Sequence, residues 1–502
     1  MKTKKILLTA MVAIVFIAGA HAQNVTIPDA NFKAALVGNA SINSNMDAEI
    51  QTSEASVFNG AINVSQLNIA DLTGIEAFVA LDSLDCSRNQ IAGLDVSSNL
   101  ALTYLDCSYN LGVDAYQNEY FIYYYYMDSL DVSANIALTI LKCNNNGLLS
   151  INTTGLTGLT YLDCSNNGRL NFSSSPGEAP GYYVISTPIF DFASNVALAY
   201  LNCSSNGLSS LDVSENAALT YLDCSNYSST NGEGDFIGGG TLSSLDFSSN
   251  VTLVYLNCSN NFSSSLNVSG NVALTSLYCS SNGLSSLDVS SNLALTYLDC
   301  SYNQIDSLDV SANNALTDLN CSFNQLTSLD LNQNTALTDL NCSFNQLTSL
   351  DLSQNTALTG LWCPFNELTS LNVKNGNNIN MLYFFAVQNP ISCVEVDDVQ
   401  WSIDNWYDDT YSSIPPNASF SLNCSGAGIS DINSNAPIFY PNPTTGNIYL
   451  SEPANITLTD LSGNLLLEEK NTNQLDISAL PAGMYFLSFG ENNQHTFKVI
   501  KE

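Results

Sequence analysis

Apolar positions in the middle of the chain recur with a period longer than that of a helix or a strand. From Cys279 to Trp362 the sequence reads CSSNGLSSLDVSSNLALTYLD, CSYNQIDSLDVSANNALTDLN, CSFNQLTSLDLNQNTALTDLN and CSFNQLTSLDLSQNTALTGLW, four units of 21 residues in which nearly every apolar position repeats. Such a period predicts a solenoid, because one unit cannot bury its apolar face alone and stacking joins the faces into a continuous core. In the third unit the expected inward positions are Cys321, Leu326, Leu329, Leu331, Ala336, Leu337 and Leu340. The pattern LxxLxCxxNxLxxLDLxxNxA holds two short alternating segments, LxxLxC and LxxLDL. It therefore predicts two short strands per turn, back to back, and two parallel ladders along the stack.

The same register places Cys86, Cys107, Cys143, Cys164, Cys203, Cys224 and Cys258 at the matching position of earlier units, so twelve units run from Cys86 to Cys363. Eight of the steps between them are 21 residues; the other three are 36, 39 and 34, one unit plus 15, 18 and 13 residues. Asn stands third after the cysteine in eleven of the twelve units, Asn89 to Asn366, with Tyr227 the exception. An amide suits a sharp turn there, where it can bond backbone groups of its own and the neighbouring turn.

The three insertions all follow that turn, in units two, four and six, near 111–126, 171–189 and 228–241. On a regular stack they leave one edge on alternate turns, about 10 Å apart, and lie side by side. The first carries Tyr116, Tyr120, Phe121, Tyr123, Tyr124, Tyr125 and Tyr126, the second Tyr182 and Tyr183, and the third Phe236. Tyr on loops over a rigid scaffold is the composition of a recognition surface. The competing reading is that these rings pack on one another as a small extra sheet.

Outside the repeat, Pro28 followed by DANFKAALVG predicts a short helix with Pro in its first turn, Phe32, Ala35 and Leu36 on one face and Gly38 at its end. Asn43, Asn45, Asp47 and Glu54 then fall at positions 1, 3, 5 and 12 of a twelve-residue loop, the spacing of an EF-hand calcium site. Asn at position 1 and Ala48 where the sharp turn wants Gly weaken that reading, and the alternative is a polar turn leading into a helix at Ser53. The residue after the Leu of the second segment is Asp95, Asp131, Asn152, Asp191, Asp212, Asp246, Asn267, Asp288, Asp309, Asp330, Asp351 and Asn372. This outward column either bonds the backbone of its turns or binds cations between them.

Charge and cysteine use narrow the function. Lys5, an apolar run to Ala20 and the small residues before Gln23 read residues 1–22 as a secretory signal peptide, which takes Lys2, Lys4 and Lys5 with it. The mature chain then has 8 basic against 46 acidic residues, a charge of −38, which excludes nucleic acid as a partner. His495 is the one histidine beyond the signal, so no His base or His-held metal is available in the body of the chain. No other stretch approaches the roughly 20 apolar residues of a transmembrane segment.

In stacked turns the repeat cysteines have parallel Cα–Cβ bonds, unsuited to disulfides or to a tetrahedral zinc site, and are expected as buried, unpaired thiols. Cys393 and Cys424 lie outside the period and are candidates for a disulfide that staples a C-terminal cap.

The 21-residue unit, with Cys in its LxxLxC strand and a second LxxLDV half, resembles a bacterial form of the leucine-rich repeat over about residues 67–385. Residues 23–66 then form an N-terminal cap, 386–424 a C-terminal cap and 425–436 a linker. Residues 437–502 alternate between Gly, Pro and Asn turns as a small antiparallel β-sandwich. That tail resembles the type A C-terminal sorting domain of Bacteroidetes type IX secretion, through YPNP at Tyr440 to Pro443 with Gly446, DLSG at Asp460 to Gly463, LPAGMY at Leu480 to Tyr485 and KVIK at Lys498 to Lys501.

The expected fold is thus mainly β: a leucine-rich-repeat solenoid with a short helical N-terminal cap and a small β-sandwich. The resemblance implies handling by the type IX secretion machinery and an extracellular or outer-surface location. The expected function is a non-enzymatic, secreted or surface-held protein for adhesion to or recognition of a protein or glycan, with no cofactor beyond calcium. The alternative is a calcium-binding surface-coat or matrix component.

Overall fold

Each turn contributes a three-residue strand that ends just before the cysteine, and these strands pair in parallel with the turn before and the turn after. Fourteen of them form one sheet, from Ala61–Asn63 and Ser83–Asp85 to Gly360–Trp362 and Tyr383–Phe385. The computed structural model describes residues 23–110, 112–114, 123–125, 127–173, 181–186, 188–226, 229–230, 236–237, 242–406, 414–415, 418–424, 439–460, 463–489 and 495–502. The chain falls into two compact units, Met1–Cys424 and Ser425–Glu502.

Registry keeps like beside like. Leu298 pairs with Leu319 and Leu319 with Leu340, so the central residues of twelve strands make one buried leucine column, with Ile62 and Phe384 at its two ends. Full burial of such a side chain contributes about 1.5–3 kcal/mol. The twelve repeat thiols form a second buried column beside it, all unpaired. The sheet has two more strands than there are cysteine units, because Val64 and Ala386, both buried, take the cysteine's place in a turn at each end.

The second ladder is real but interrupted. Parallel pairing occurs in three separate patches: Ser129–Asp131 with Ser150–Asn152 and Ile189–Phe190, Leu245–Asp246 with Leu266–Asn267, and Ser349–Asp351 through Ser370–Asn372 and Cys393–Glu395 to Ser419–Ser421.

Two columns of buried asparagine stitch the turns together. Asn303 donates its amide to the carbonyls of Cys279 and Cys300, both at 3.0 Å, and accepts from the N–H of Leu284 at 3.1 Å. The pattern repeats from Asn89 to Asn389, and in the turn where Tyr227 breaks it Asn226 accepts from Gly207 N–H at 3.0 Å instead.

The second column was not expected. Asn334 is fully buried and donates to Val310 and Asn313 carbonyls at 3.0 and 2.9 Å, while Ala336, expected inward, is only half-buried. The amide needs the interior because two carbonyls of the preceding turn face it there, and an alanine two residues on satisfies neither.

Both ends of the core are covered. Asp29 caps the helix Ala30–Val37 by accepting from Asn31 and Phe32 N–H, so Pro28 precedes the cap and does not enter the first turn as expected. Phe32 and Leu36 are buried under that helix. At the other end Cys393 and Cys424 are joined in a disulfide that ties strand Cys393–Glu395 to the residues just after its neighbour Ser419–Ser421. Helix Val399–Trp406 places Trp406 against Phe384, with ring centroids 4.4 Å apart.

The C-terminal unit is all antiparallel β, its five strands joined along one hydrogen-bonded path. Register shifts along Asn447–Thr459 let its first half pair with Phe439–Tyr440 and its second half with Gly483–Phe489. Ile448, Leu458, Leu475, Leu487, Phe489 and Val499 form its core.

Candidate functional site

The insertions are three antiparallel hairpins: Gly112–Asp114 with Tyr123–Tyr125, Arg169–Ser173 with Gly181–Ser186, and Ser229–Thr230 with Phe236–Ile237. All three start within three residues of the turn asparagine, at Asn110, Asn167 and Asn226, so they leave the same edge of the stack. The second and third are neighbours in space, strand Gly181–Ser186 lying beside Phe236–Ile237. Tyr123, Tyr124, Tyr125, Tyr182, Tyr183 and Phe236 sit on these strands; Tyr116, Tyr120, Phe121 and Tyr126 lie outside the described residues.

Further along the same edge the structure adds a group that sequence reasoning missed. The residue just before the turn asparagine takes a left-handed backbone in almost every turn, and at Tyr302, Phe323, Phe344 and Phe365, with φ of 54 to 56°, it is aromatic. Their rings stack at centroid spacings of 4.2, 4.1 and 4.3 Å. Tyr302 and Phe365 remain nearly half exposed. A bulky side chain at positive φ costs on the order of 1–2 kcal/mol per residue, and asparagine, which tolerates that conformation, occupies the same place at Asn145, Asn166 and Asn260. Closer to the first hairpin, the Arg88 guanidinium lies 4.4 Å from the centre of the Tyr109 ring.

The outward face of the fourteen-stranded sheet carries a second aromatic column, also missed, although the recurring TYLDC displays it. Tyr161, Tyr200, Tyr221 and Tyr255 stack nearly parallel at 4.1, 4.2 and 4.4 Å. Burial among their neighbours pushes the Tyr161 and Tyr297 hydroxyls up to about 12 and Tyr221 higher, so the face presents neutral phenols. Beside them Asp85, Asp106, Asp163, Asp223 and Asp299 each accept from the N–H and hydroxyl of the serine two residues on. Burial raises the Asp163 carboxyl above the ordinary aspartate value, against the pull of those Ser165 bonds.

The outward column on the second side does the same work. Asp95, Asp131, Asn152, Asp191, Asp212, Asp246, Asn267, Asp288, Asp309, Asp330, Asp351 and Asn372 all accept from the backbone N–H two residues on. Three of the twelve are asparagine, which makes the same bond without a charge.

The EF-hand-like loop closes on itself. Asn43 donates to the carbonyls of Val37 and Asp47 at 3.0 and 2.8 Å, and Asn45 donates to Asp47 and Gln51 side chains at 2.9 and 2.7 Å. Glu54 reaches back across the loop and accepts from Ser44 N–H and Oγ, Asn45 N–H and Gln51 N–H between 2.8 and 3.2 Å. Among the described residues no three His, Cys, Asp or Glu come together as a metal-holding group.

Residues 438–502 match the family model of the secretion system C-terminal sorting domain. The chain is similar in structure to the functional domain of InlJ from Listeria monocytogenes, which includes a cysteine ladder, with a TM-score of 0.52, 23% identity and coverage of 96% of this chain and 98% of that one. The fold is that of a leucine-rich-repeat protein, and its tail is a sorting domain. A leucine-rich-repeat protein of Leptospira interrogans matches 73% of this chain over 91% of its own at 19% identity and a TM-score of 0.48. No curated protein sequence matches the chain.

The sorting domain directs export by type IX secretion to the cell surface or beyond. No described helix of the chain is long and apolar enough to cross a membrane. Within the tail, Asn442 of the YPNP sequence brackets the last strand, donating to Lys498 carbonyl at 2.7 Å and accepting from Ile500 N–H at 2.8 Å. Tyr485 of LPAGMY donates its hydroxyl to the Pro481 carbonyl at 2.7 Å. The matched residues thus hold turns of the sorting domain in place.

Proposed function

We propose that this surface-exposed solenoid is a non-catalytic binding protein that recognises a protein or glycan partner along its hairpin-bearing edge. The observation that carries the reading is the concentration of aromatic residues along that edge. The tyrosine-rich hairpins spring from it, and Tyr302 to Phe365 line it at a backbone conformation that costs energy. Strained residues that persist along one surface point to a role other than stability. A non-catalytic role also suits the chemistry: Asp163 is the one described carboxylate raised above its ordinary value, and its neighbours are turn-capping bonds.

The test is capture by protein and glycan arrays of the full exported chain, compared with a variant in which Tyr123, Tyr124 and Tyr125 are changed to Ser. Loss of capture by at least tenfold, with the thermal midpoint unchanged within a few degrees, supports the reading. Undiminished capture by the folded variant sinks it for the first hairpin.

A further inference from the structure

Two carboxylates on the sheet face are not used for the fold. Asp85, Asp106, Asp163, Asp223 and Asp299 cap turns, but Asp318 and Asp339, side by side in adjacent strands, do not. Asp318 accepts one hydrogen bond, from its neighbour Thr317 Oγ1 at 2.6 Å, and Asp339 accepts none among the described residues. They interrupt the aromatic column: Tyr297 lies one strand before them, and beyond them stands Gly360, over which the Trp362 indole is folded. A Cβ on Gly360 would come within 2.7 Å of the indole and 2.6 Å of Asp339 Oδ1, so only glycine lets ring and carboxylate meet there. Tyr297, Asp318, Asn320, Asp339, Asn341 and Trp362 line a shallow depression of about 260 Å³.

The same face shows what such a setting holds. Lys142, in the strand Ile140–Lys142, sits between two aromatic rings and a carboxylate. Its ammonium is 4.0 Å from Asp106 Oδ2 and 5.5 and 5.9 Å from the centres of the Tyr104 and Tyr161 rings. Ring faces and carboxylates together favour a cation over a neutral ligand. Near Asp318 and Asp339 the two negative charges, about 4.8 Å apart by strand spacing, have two rings and no basic side chain beside them.

We infer that the depression between Tyr297 and Trp362 receives a lysine or arginine side chain of a partner protein, clamped between the Asp318 and Asp339 carboxylates and the Trp362 ring. This rests on the binding role proposed above and names the chemistry of one contact on the partner. A chain with 46 acidic and 11 basic residues attracts such a partner at long range.

Titration of the full chain with acetyl-tetralysine-amide, read by the indole emission that a Trp362→Phe variant loses, tests the inference; maltotetraose serves as the neutral comparison. Tetralysine is expected to bind and to shift the emission. Asp318→Asn with Asp339→Asn should weaken it at least tenfold. Asp288→Asn with Asp309→Asn, removing equal charge from the other side, should change it less than twofold. Equal weakening by both pairs, binding of maltotetraose in place of tetralysine, or no binding of either overturns the inference. If the Asp318/Asp339 variant does not fold, Trp362→Phe must show the tenfold loss by calorimetry. A chain that still captures an array partner through its hairpins yet ignores tetralysine keeps the proposed function and loses this contact.

Discussion

At the scale of the residue, much of this molecule is amide chemistry. Asn303 serves two carbonyls and one N–H in adjacent turns, so Asn303→Ala should cost about 2–3 kcal/mol by stranding buried groups, read from urea unfolding. The second column is less complete. The Oδ1 atoms of Asn99, Asn135, Asn216, Asn250, Asn271, Asn292, Asn313, Asn334 and Asn355 are buried and find no protein partner, whereas Asn195 Oδ1 accepts from Thr153 Oγ1 at 2.8 Å. Val289 stands to Asn313 as Thr153 stands to Asn195, both lending a backbone carbonyl to the amide. Val289→Thr is therefore expected within about 1 kcal/mol of wild type, or above it, while Leu298→Ala in the leucine column loses about 2–5 kcal/mol.

The turn-capping aspartates set the response to acid. Asp95, Asp131, Asp246, Asp288 and Asp309 titrate below the ordinary aspartate value because the serine two residues on donates its hydroxyl and its N–H; for Asp212 the N–H is the larger cause. Unfolded, these carboxylates protonate at about pH 4. Their contribution is complete above that pH and is lost as pH falls through the lower native values. Asp163, raised by burial, acts oppositely: the native state keeps its proton longer, so its contribution declines as pH rises from about 4 through the native value. The lowered groups outnumber it. The urea midpoint should drop between pH 5 and pH 3, and replacing the six by Asn should flatten that limb.

At the scale of the element, period and register were legible because they rest on apolar spacing, and apolar spacing is what stacking requires. Cys321, Leu326, Leu329, Leu331, Leu337 and Leu340 are all buried as their positions demanded. Polar burial was harder to read: Asn334 gave no apolar signal, and only the opposing carbonyls of Val310 and Asn313 explain its place inside. The aromatic columns escaped for a different reason. A tyrosine at the start of TYLDC or a phenylalanine in CSFN reads singly as a surface residue, and its meaning appears only when adjacent turns set ring on ring at 4.1 to 4.4 Å. Phe344→Asn, giving the left-handed position a residue that tolerates it, should leave stability unchanged or higher. It should weaken partner capture if the edge column takes part.

At the scale of the whole molecule, the thiol column reports whether the stack is closed. Twelve free cysteines are buried, and loss of solvent pushes their thiols up, to about 12 for Cys258 and Cys363. Native protein at pH 8 should leave all twelve unmodified by a thiol reagent, and denaturant should expose all twelve together. The fold and the tail could be read from the chain because each repeats or concentrates its signal. The partner could not, since edge, face and hairpins are composed of residues that many ligands would fit. Hydrogen exchange of the full chain, with and without its array-identified partner, addresses the central claim most directly. Protection is expected at Tyr123–Tyr125, Gly181–Ser186 and Phe236–Ile237 and along Tyr302 to Phe365; protection confined to the Asp288 to Asp351 side or to the sorting domain would contradict it.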